Sequence, residues 1–238
     1  MPSADAQRAD ATPLDIDAVL FDLDGTLVDT APDLVAALNR VRQDRGLDTL
    51  PLDDLRAFAS AGARGLIGAG FQRTPDHPDY PELRDAFLAH YAAALCIDSA
   101  LFDEVEDVLE ALEARGLPWG IVTNKATRFT LPLLEALPWR FKPSVVICGD
   151  TTPHSKPHPA PLLAAAAALG VPPARCLYVG DAERDVAAGL AAGMHTIVAH
   201  YGYIEPQHEP HAWQAHGHID TPRDLIAWLP LRTEREDR

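Results

Sequence analysis

The sequence predicts an α/β fold: a Rossmann-like, doubly wound parallel sheet core with an inserted small α-helical cap. Three observations predict it. Short apolar runs at residues 18–22, 118–123, 144–148, 176–181 and 195–200 are each of strand length and rich in β-branched residues. Helical stretches separate the later runs, and strand–helix–strand alternation builds a parallel sheet with helices on both faces. The alternation fails once. From about Pro32 to Leu101 there is no strand pattern, and apolar residues recur there at helical spacing.

The first run, Ala18 to Asp22, is apolar up to its last residue, as a strand buried on both faces should be. Gly25 then allows a sharp turn. In the inserted stretch Leu34, Val35, Leu38 and Val41 share a helix face, and so do Leu83, Phe87 and Tyr91. Gly62, Gly65, Gly68 and Gly70 are expected to break the segment between them. Further helices are expected over 103–116, 126–137, 160–170 and 184–193. Gly116, Gly170 and Gly193 stand where helix C-termini commonly place glycine. The expected organisation is a catalytic core of residues 14–30 and 102–230, a helical cap of 31–101, and disordered ends at 1–13 and 231–238.

At 238 residues and 47% hydrophobic content, the chain can bury a real core as one domain or two small ones. No run is long and apolar enough to span a membrane. The polar, acidic N-terminal segment lacks the apolar stretch of a secretion signal, so a cytoplasmic protein is expected. Cys96, Cys148 and Cys176 lie in apolar contexts and read as reduced core thiols, not as a disulfide or zinc framework. A net charge of −15 repels phosphate backbones and argues against nucleic-acid binding. A small anionic substrate stays compatible, because local cations override the global field. Monomer and homodimer both fit.

Asp22 and Asp24 are the first candidates for chemistry. Residues two apart in an extended chain point to the same side, and two carboxylates that close need a cation or a shared proton. A solvated structural turn is the plain alternative, but such turns seldom set acids against so apolar a run. The other candidates also follow apolar runs: Thr123-Asn124-Lys125, Ser155-Lys156-Pro157, and Gly180-Asp181 with Asp185 four residues on. In a parallel sheet these converge outside the carboxyl ends of the strands, where ligands bind.

The run Asp22-Leu23-Asp24-Gly25-Thr26, followed in order by those three segments, resembles the four motifs of the haloacid dehalogenase-type phosphatases. The resemblance covers residues 15 to about 230. It implies that Asp22 attacks phosphorus to form an aspartyl-phosphate, and that Asp24 protonates the leaving oxygen and then activates water. Neighbouring anions would keep the Asp24 carboxyl protonated at the start. Thr123 and Asn124 would bind phosphoryl oxygens, and Lys156 would balance the phosphoryl group and Asp22. The implied cofactor is Mg²⁺, held by the Asp22 carboxylate, the Asp24 carbonyl and Asp181, with Asp185 acting through water or from behind.

Arg64, between Gly62 and Gly65, reads as a loop arginine able to approach a ligand closely and clamp phosphate or a carboxylate. The general layout is similar to phosphoglycolate phosphatases. The stretches at 60–71, 119–129 and 200–206, with Trp213, look closer to the N-acetylmuramic acid 6-phosphate phosphatases. The resemblance thus implies hydrolysis of a small phosphorylated metabolite, a phosphosugar whose lactyl carboxylate would pair with Arg64 or Arg128. The alternatives are a phosphoglycolate phosphatase and a sugar phosphomutase, which would admit a sugar hydroxyl in place of water. Asp24 argues against a dehalogenase, and a non-catalytic protein would tolerate loss of Asp22, Asp24 or Lys156, all of which are present. His208, His211, His216 and His218 read as part of a proline- and glycine-punctuated polar loop and not as a metal site. His158 is expected to shape the loop after Lys156.

Overall fold

Six parallel strands in the order β5-β4-β1-β6-β7-β8 form the sheet of the computed structural model, which describes residues 12–230. The expected disordered ends lie outside the described residues, apart from Thr12 and Pro13. The strands are β1 (Ala18–Phe21), β4 (Trp119–Val122), β5 (Val145–Ile147), β6 (Cys176–Gly180), β7 (His195–Ala199) and β8 (Gly217–Ile219). Between them run α5 (Val105–Glu113), α6 (Thr127–Ala136), α7 (Ala160–Leu169) and α8 (Glu183–Ala191). The order grows outward from β1 in both directions, so the connection reverses there. A doubly wound sheet opens its crevice at that reversal, here between the carboxyl ends of β1 and β6.

Alternation along each strand fills two apolar layers. Val19 and Phe21 pack with Trp119, Ile121, Leu177 and Val179 on one face. Val105, Val108, Leu109 and Leu112, at helical spacing on α5, cover that face. Ala18, Leu20 and Tyr178 point the other way, against Leu162 and Ala165 of α7. Gly170 closes α7 in the left-handed conformation, at φ 69°. Cys148 and Cys176 are buried free thiols, whereas Cys96 is only half-buried.

The stretch between β1 and β4 forms a third apolar cluster. It contains α1 (Ala31–Asp44), the short α2 (Leu52–Leu55), a 3₁₀ helix (Arg56–Ala61), α3 (Gly62–Phe71) and α4 (Tyr80–Ala93). Leu34, Val35, Leu38 and Val41 of α1 pack with Leu66, Ile67, Leu83, Phe87 and Tyr91. Gly62, at φ 55°, separates the 3₁₀ helix from α3, but the expectation that the other glycines break this region is corrected, because α3 runs on through Gly65, Gly68 and Gly70. Glycine costs about 1 kcal/mol in a helix, but close packing requires it at Gly65 and Gly70. A Cβ on Gly65 would lie 2.3 Å from the Phe58 carbonyl oxygen, and one on Gly70 2.7 Å from Leu38 Cδ2.

Two further corrections concern strands. Val28–Asp29 (β2) pairs antiparallel with Ala100–Leu101 (β3), so the insertion returns to the core beside its point of departure. A two-residue strand is too short to show a period. Strand β8 falls inside the histidine-rich segment that reads as polar loop, because Gly217 and Ile219 are buried beside β7. No helix among the described residues is long and apolar enough to cross a membrane.

Asp33 ties the two ends of the insertion together. Its carboxylate is 2% exposed and accepts hydrogen bonds from the Ile97, Asp98 and Ser99 amides at 3.0 Å each, and from the Ser99 hydroxyl at 2.6 Å. Asp33→Ala leaves those amides unpaired, and the expected loss of unfolding free energy is about 2–4 kcal/mol. Urea denaturation checks this; a loss below about 1 kcal/mol would mean that water replaces the carboxylate.

Candidate active site

Asp22 follows β1 directly, and burial, at 3% exposure, leaves its carboxylate dependent on protein partners. The Lys156 ammonium, with a fully buried side chain, lies 2.9 Å from Asp22 Oδ1 and 2.7 Å from Asp185 Oδ1. It also donates to the Val122 carbonyl at 2.9 Å and the Tyr178 hydroxyl at 2.7 Å. Burial pushes Asp22 up to about 6; Lys156 opposes this and Asp185 adds to it. Burial also works against charge on Asp185, but Lys156 and Arg184 hold it below the ordinary carboxylate range.

Asp181, at the end of β6, completes the acid group. Oxygens of Asp22, Asp181 and Asp185 all lie within 4.8 Å of one another. Asp181 Oδ2 accepts from the Tyr203 amide at 2.8 Å, whereas its buried Oδ1 has no hydrogen-bond partner. Burial, then repulsion from Asp22 and Asp185, pushes Asp181 up to about 8. A buried carboxylate oxygen without a donor, facing two more carboxylates, is what a hard divalent cation requires. The donor set therefore fits a metal. The approach is tight, since a Cβ on Gly25 would lie 2.2 Å from Asp181 Oδ2, and Gly25 has φ 84°.

Asp24 lies on the cavity side of the same loop, but its surroundings differ from the sequence-based expectation. Its Oδ1 accepts from the Thr30 hydroxyl at 2.5 Å and pairs with the Lys125 ammonium at 2.8 Å. The neighbour is a cation and not further anions, a correction that motif spacing could not supply. Lys125 in turn sits 4.7 Å above the Tyr91 ring. Burial works against its charge, but Asp24 and Tyr91 hold it above the ordinary lysine range.

Thr123 is buried at the end of β4, and its hydroxyl accepts from the Lys125 amide at 3.1 Å. Its own proton is left for an oxygen in the cavity it lines. Asn124 is placed differently from expectation. Its amide donates to the Lys156 carbonyl and accepts from the Lys156 N–H, both at 2.9 Å. Both polar ends are thus used to fix the lysine. Arg64 stands in the first turn of α3 and not in a loop. With Arg128, it lines a cavity of about 620 Å³ shared with Asp22, Asp24, Lys125 and Lys156. His158 accepts from the Ala160 amide at 3.1 Å, within the loop it was expected to shape.

Four residues escaped the sequence reading. Lys125 sits inside a motif already singled out, and the need to balance Asp24 would have found it. Arg184 lies one position before Asp185. It reaches within 4.0 Å of Asp22 Oδ2 and donates to the Ser60 carbonyl and hydroxyl at 3.0 Å each. Tyr178 and Tyr203 carry no local signal, because their partners are distant in sequence. The Tyr203 hydroxyl meets the Thr30 and Ala31 amides and Asp29 at 2.7–2.9 Å.

In EDTA, stability should fall as pH rises from 3.8 towards 8, because over that interval folded Asp181 keeps a proton the unfolded chain has lost. Asp181→Asn should flatten this fall and weaken divalent-cation binding. Melting temperature against pH, with EDTA in both samples, reads the first effect; an unchanged slope would contradict the repulsion described.

Comparison with known proteins agrees with this geometry. The haloacid dehalogenase-like hydrolase family matches residues 16–193. N-acetylmuramic acid 6-phosphate phosphatase of Pseudomonas aeruginosa is 41% identical over 209 residues, covering 88% of this chain and 92% of that protein. Phosphoglycolate phosphatase of Xanthomonas campestris pv. campestris is 43% identical over 213 residues, covering 90% and 95%. A crystal structure described as a predicted phosphoglycolate phosphatase from Haemophilus somnus superposes with a TM-score of 0.77 at 28% identity, covering 90% of this chain and 97% of that one. With the acid cluster at the carboxyl edge of its sheet, this chain is a phosphatase and belongs to the haloacid dehalogenase-like hydrolase family.

Proposed function

We propose that the protein is a Mg²⁺-dependent phosphate monoester hydrolase that works through an aspartyl-phosphate on a small phosphosugar, N-acetylmuramic acid 6-phosphate. One observation carries the reading. Asp22, neutralised by Lys156 and approached by Arg184, faces a cavity of about 620 Å³ whose wall includes Lys125, Arg64 and Arg128. Cations around a buried carboxylate suit a dianionic group in line with a nucleophile.

In the proposed reaction an Asp22 oxygen attacks phosphorus and the ester P–O bond breaks. Asp24 gives its proton to the departing alkoxide. Approach of the substrate phosphate draws the Lys125 ammonium away from Asp24, and the freed carboxylate takes up from solvent the proton it then passes to the alkoxide. Asp24 then takes a proton from water, whose oxygen displaces Asp22 from phosphorus and releases phosphate. Thr123 donates its hydroxyl to a phosphoryl oxygen. Lys156, fixed by Asn124, Tyr178 and Asp185, balances charge throughout. Mg²⁺ would be held by Asp22, Asp181 and the Asp24 carbonyl, and would neutralise phosphoryl oxygens. Asp185, already engaged by Lys156 and the Ala182 amide, would support the metal's ligands and not bind it directly. Residues 31–101 serve as a cap over the core of 14–30 and 102–230, contributing Ser60 to Arg64 and Tyr91 to the cavity wall.

Cavity size and the two arginines favour a substrate larger than a two-carbon phosphate, and ligand pockets of this volume suit sugar-sized molecules. Phosphoglycolate is the second reading, favoured by the 43% identity to the Xanthomonas protein. Phosphate release from both esters, with Mg²⁺ and with EDTA, separates them: a large kcat/KM preference for the muramate ester is expected. Recovery of an isomeric ester in place of free phosphate would instead indicate a mutase.

Asp22→Asn should lower phosphate release by several orders of magnitude while melting cooperatively. Near-wild-type turnover would remove Asp22 as nucleophile. Arg64→Ala and Arg128→Ala should raise KM for the muramate ester more than for a sugar phosphate without a carboxylate. Equal changes on both would end the proposed pairing.

A further inference from the structure

Six of the ten histidines fall between residues 195 and 218, outside the phosphatase site. His200 follows β7, His218 lies on β8 beside it, and His211 sits in the 3₁₀ turn Pro210–Ala212 that leads back towards β8. The three rings form a closed triangle, with centroids 5.0 Å apart for His200–His211, 5.0 Å for His200–His218 and 4.4 Å for His211–His218. One nitrogen from each lies within 4.8 Å of the other two. His200 Nε2 and His218 Nδ1 are 2.9 Å apart. A hydrogen bond at that distance needs one of the two nitrogens to present a lone pair, so this pair is not held as two imidazolium ions.

From this geometry we infer that His200, His211 and His218 form a second metal site, selective for a late first-row divalent transition ion, Zn²⁺ foremost. Imidazole nitrogens suit Zn²⁺, Cu²⁺ and Ni²⁺ and not the hard Mg²⁺. Tetrahedral Zn²⁺ with bonds near 2.0–2.1 Å separates its ligand nitrogens by about 3.3 Å. The 2.9 Å pair would spread by a few tenths of an ångström, and exposed His211 would swing in as the third ligand. Water takes the fourth position. Asp220 exerts its negative charge on both His200 and His218, which favours a cation between them.

The site ties the turn at 210–212 to the paired strands β7 and β8. It also holds the start of a strap over the phosphatase centre. The Tyr201 hydroxyl donates to the Thr26 carbonyl at 3.0 Å, and the Tyr203 amide donates to Asp181. The bound ion is a clip on this corner and takes no part in phosphoryl transfer. Sequence spacing hid the site because His200 stands apart from the cluster of four and only β7–β8 pairing brings it close.

Tag-free full-length protein in saturating Mg²⁺, which keeps the acid cluster filled, is titrated with Co²⁺ and then Zn²⁺. One equivalent of Co²⁺ should give the visible d–d bands of a low-coordinate nitrogen site, and Zn²⁺ should displace it and raise the melting temperature. His211→Ala removes an exposed ligand without disturbing the core. It should weaken binding at least ~10-fold and abolish the thermal shift, while His208→Ala, outside the triangle, should leave both intact. No stoichiometric uptake, a His211→Ala protein that binds as well as wild type, or equal loss in His208→Ala would each overturn the site.

Discussion

A single buried ammonium governs this site. Lys156 has no exposed side-chain surface and bridges Asp22 and Asp185. Burial works against charge on both carboxylates, and Lys156 is the cation that opposes it most at each, since an unpaired buried charge is worth several kcal/mol against folding. The ammonium in turn needs acceptors, and finds them in the Val122 carbonyl and the Tyr178 hydroxyl. Its main chain is fixed by Asn124. The requirement to bury one cation therefore brings together the ends of β1 and β4, Tyr178 in the middle of β6 and the first turn of α8.

The balance is incomplete, and the shortfall has a location. Lys156 and Arg184 face Asp22 and Asp185, whereas Asp181 faces chiefly other acids and leaves Oδ1 without a donor. The surplus negative charge is confined to the carboxyl ends of the paired strands β1 and β6, so a divalent cation among these acids has one natural place. Asp24 belongs to a separate balance with Lys125 and Thr30. Two carboxylates two positions apart thus have different partners, which suits one to attack and the other to exchange a proton.

The inserted helices meet the core through polar contacts as well as apolar ones. Arg184 reaches Ser60, the Tyr203 hydroxyl meets the amides that open α1, and Asp33 holds the return segment at 97–99. These contacts set where Arg64 and Tyr91 stand relative to Asp22. The cavity is therefore a property of how two apolar clusters are tied together, not of either alone.

The sequence by itself determined five of the strands, the helices between them, the insertion after the first strand, the positions of Asp22, Asp24, Thr123 and Asp181 at or just past strand ends, and that of Lys156 in the loop after β5. All of these are local quantities: a period of two or 3.6, a run of apolar residues, a turn residue, a short motif. Tertiary structure alone decided the partners. It gave Asp24 a lysine 101 positions away, gave Asp181 an amide from Tyr203, spent Asn124 on Lys156, set Gly65 and Gly70 inside α3 where Phe58 and Leu38 leave no room for a Cβ, and paired His200 with His218. Coulomb energy and packing depend on distance in space, and until the sheet has assembled that distance bears no relation to separation along the chain.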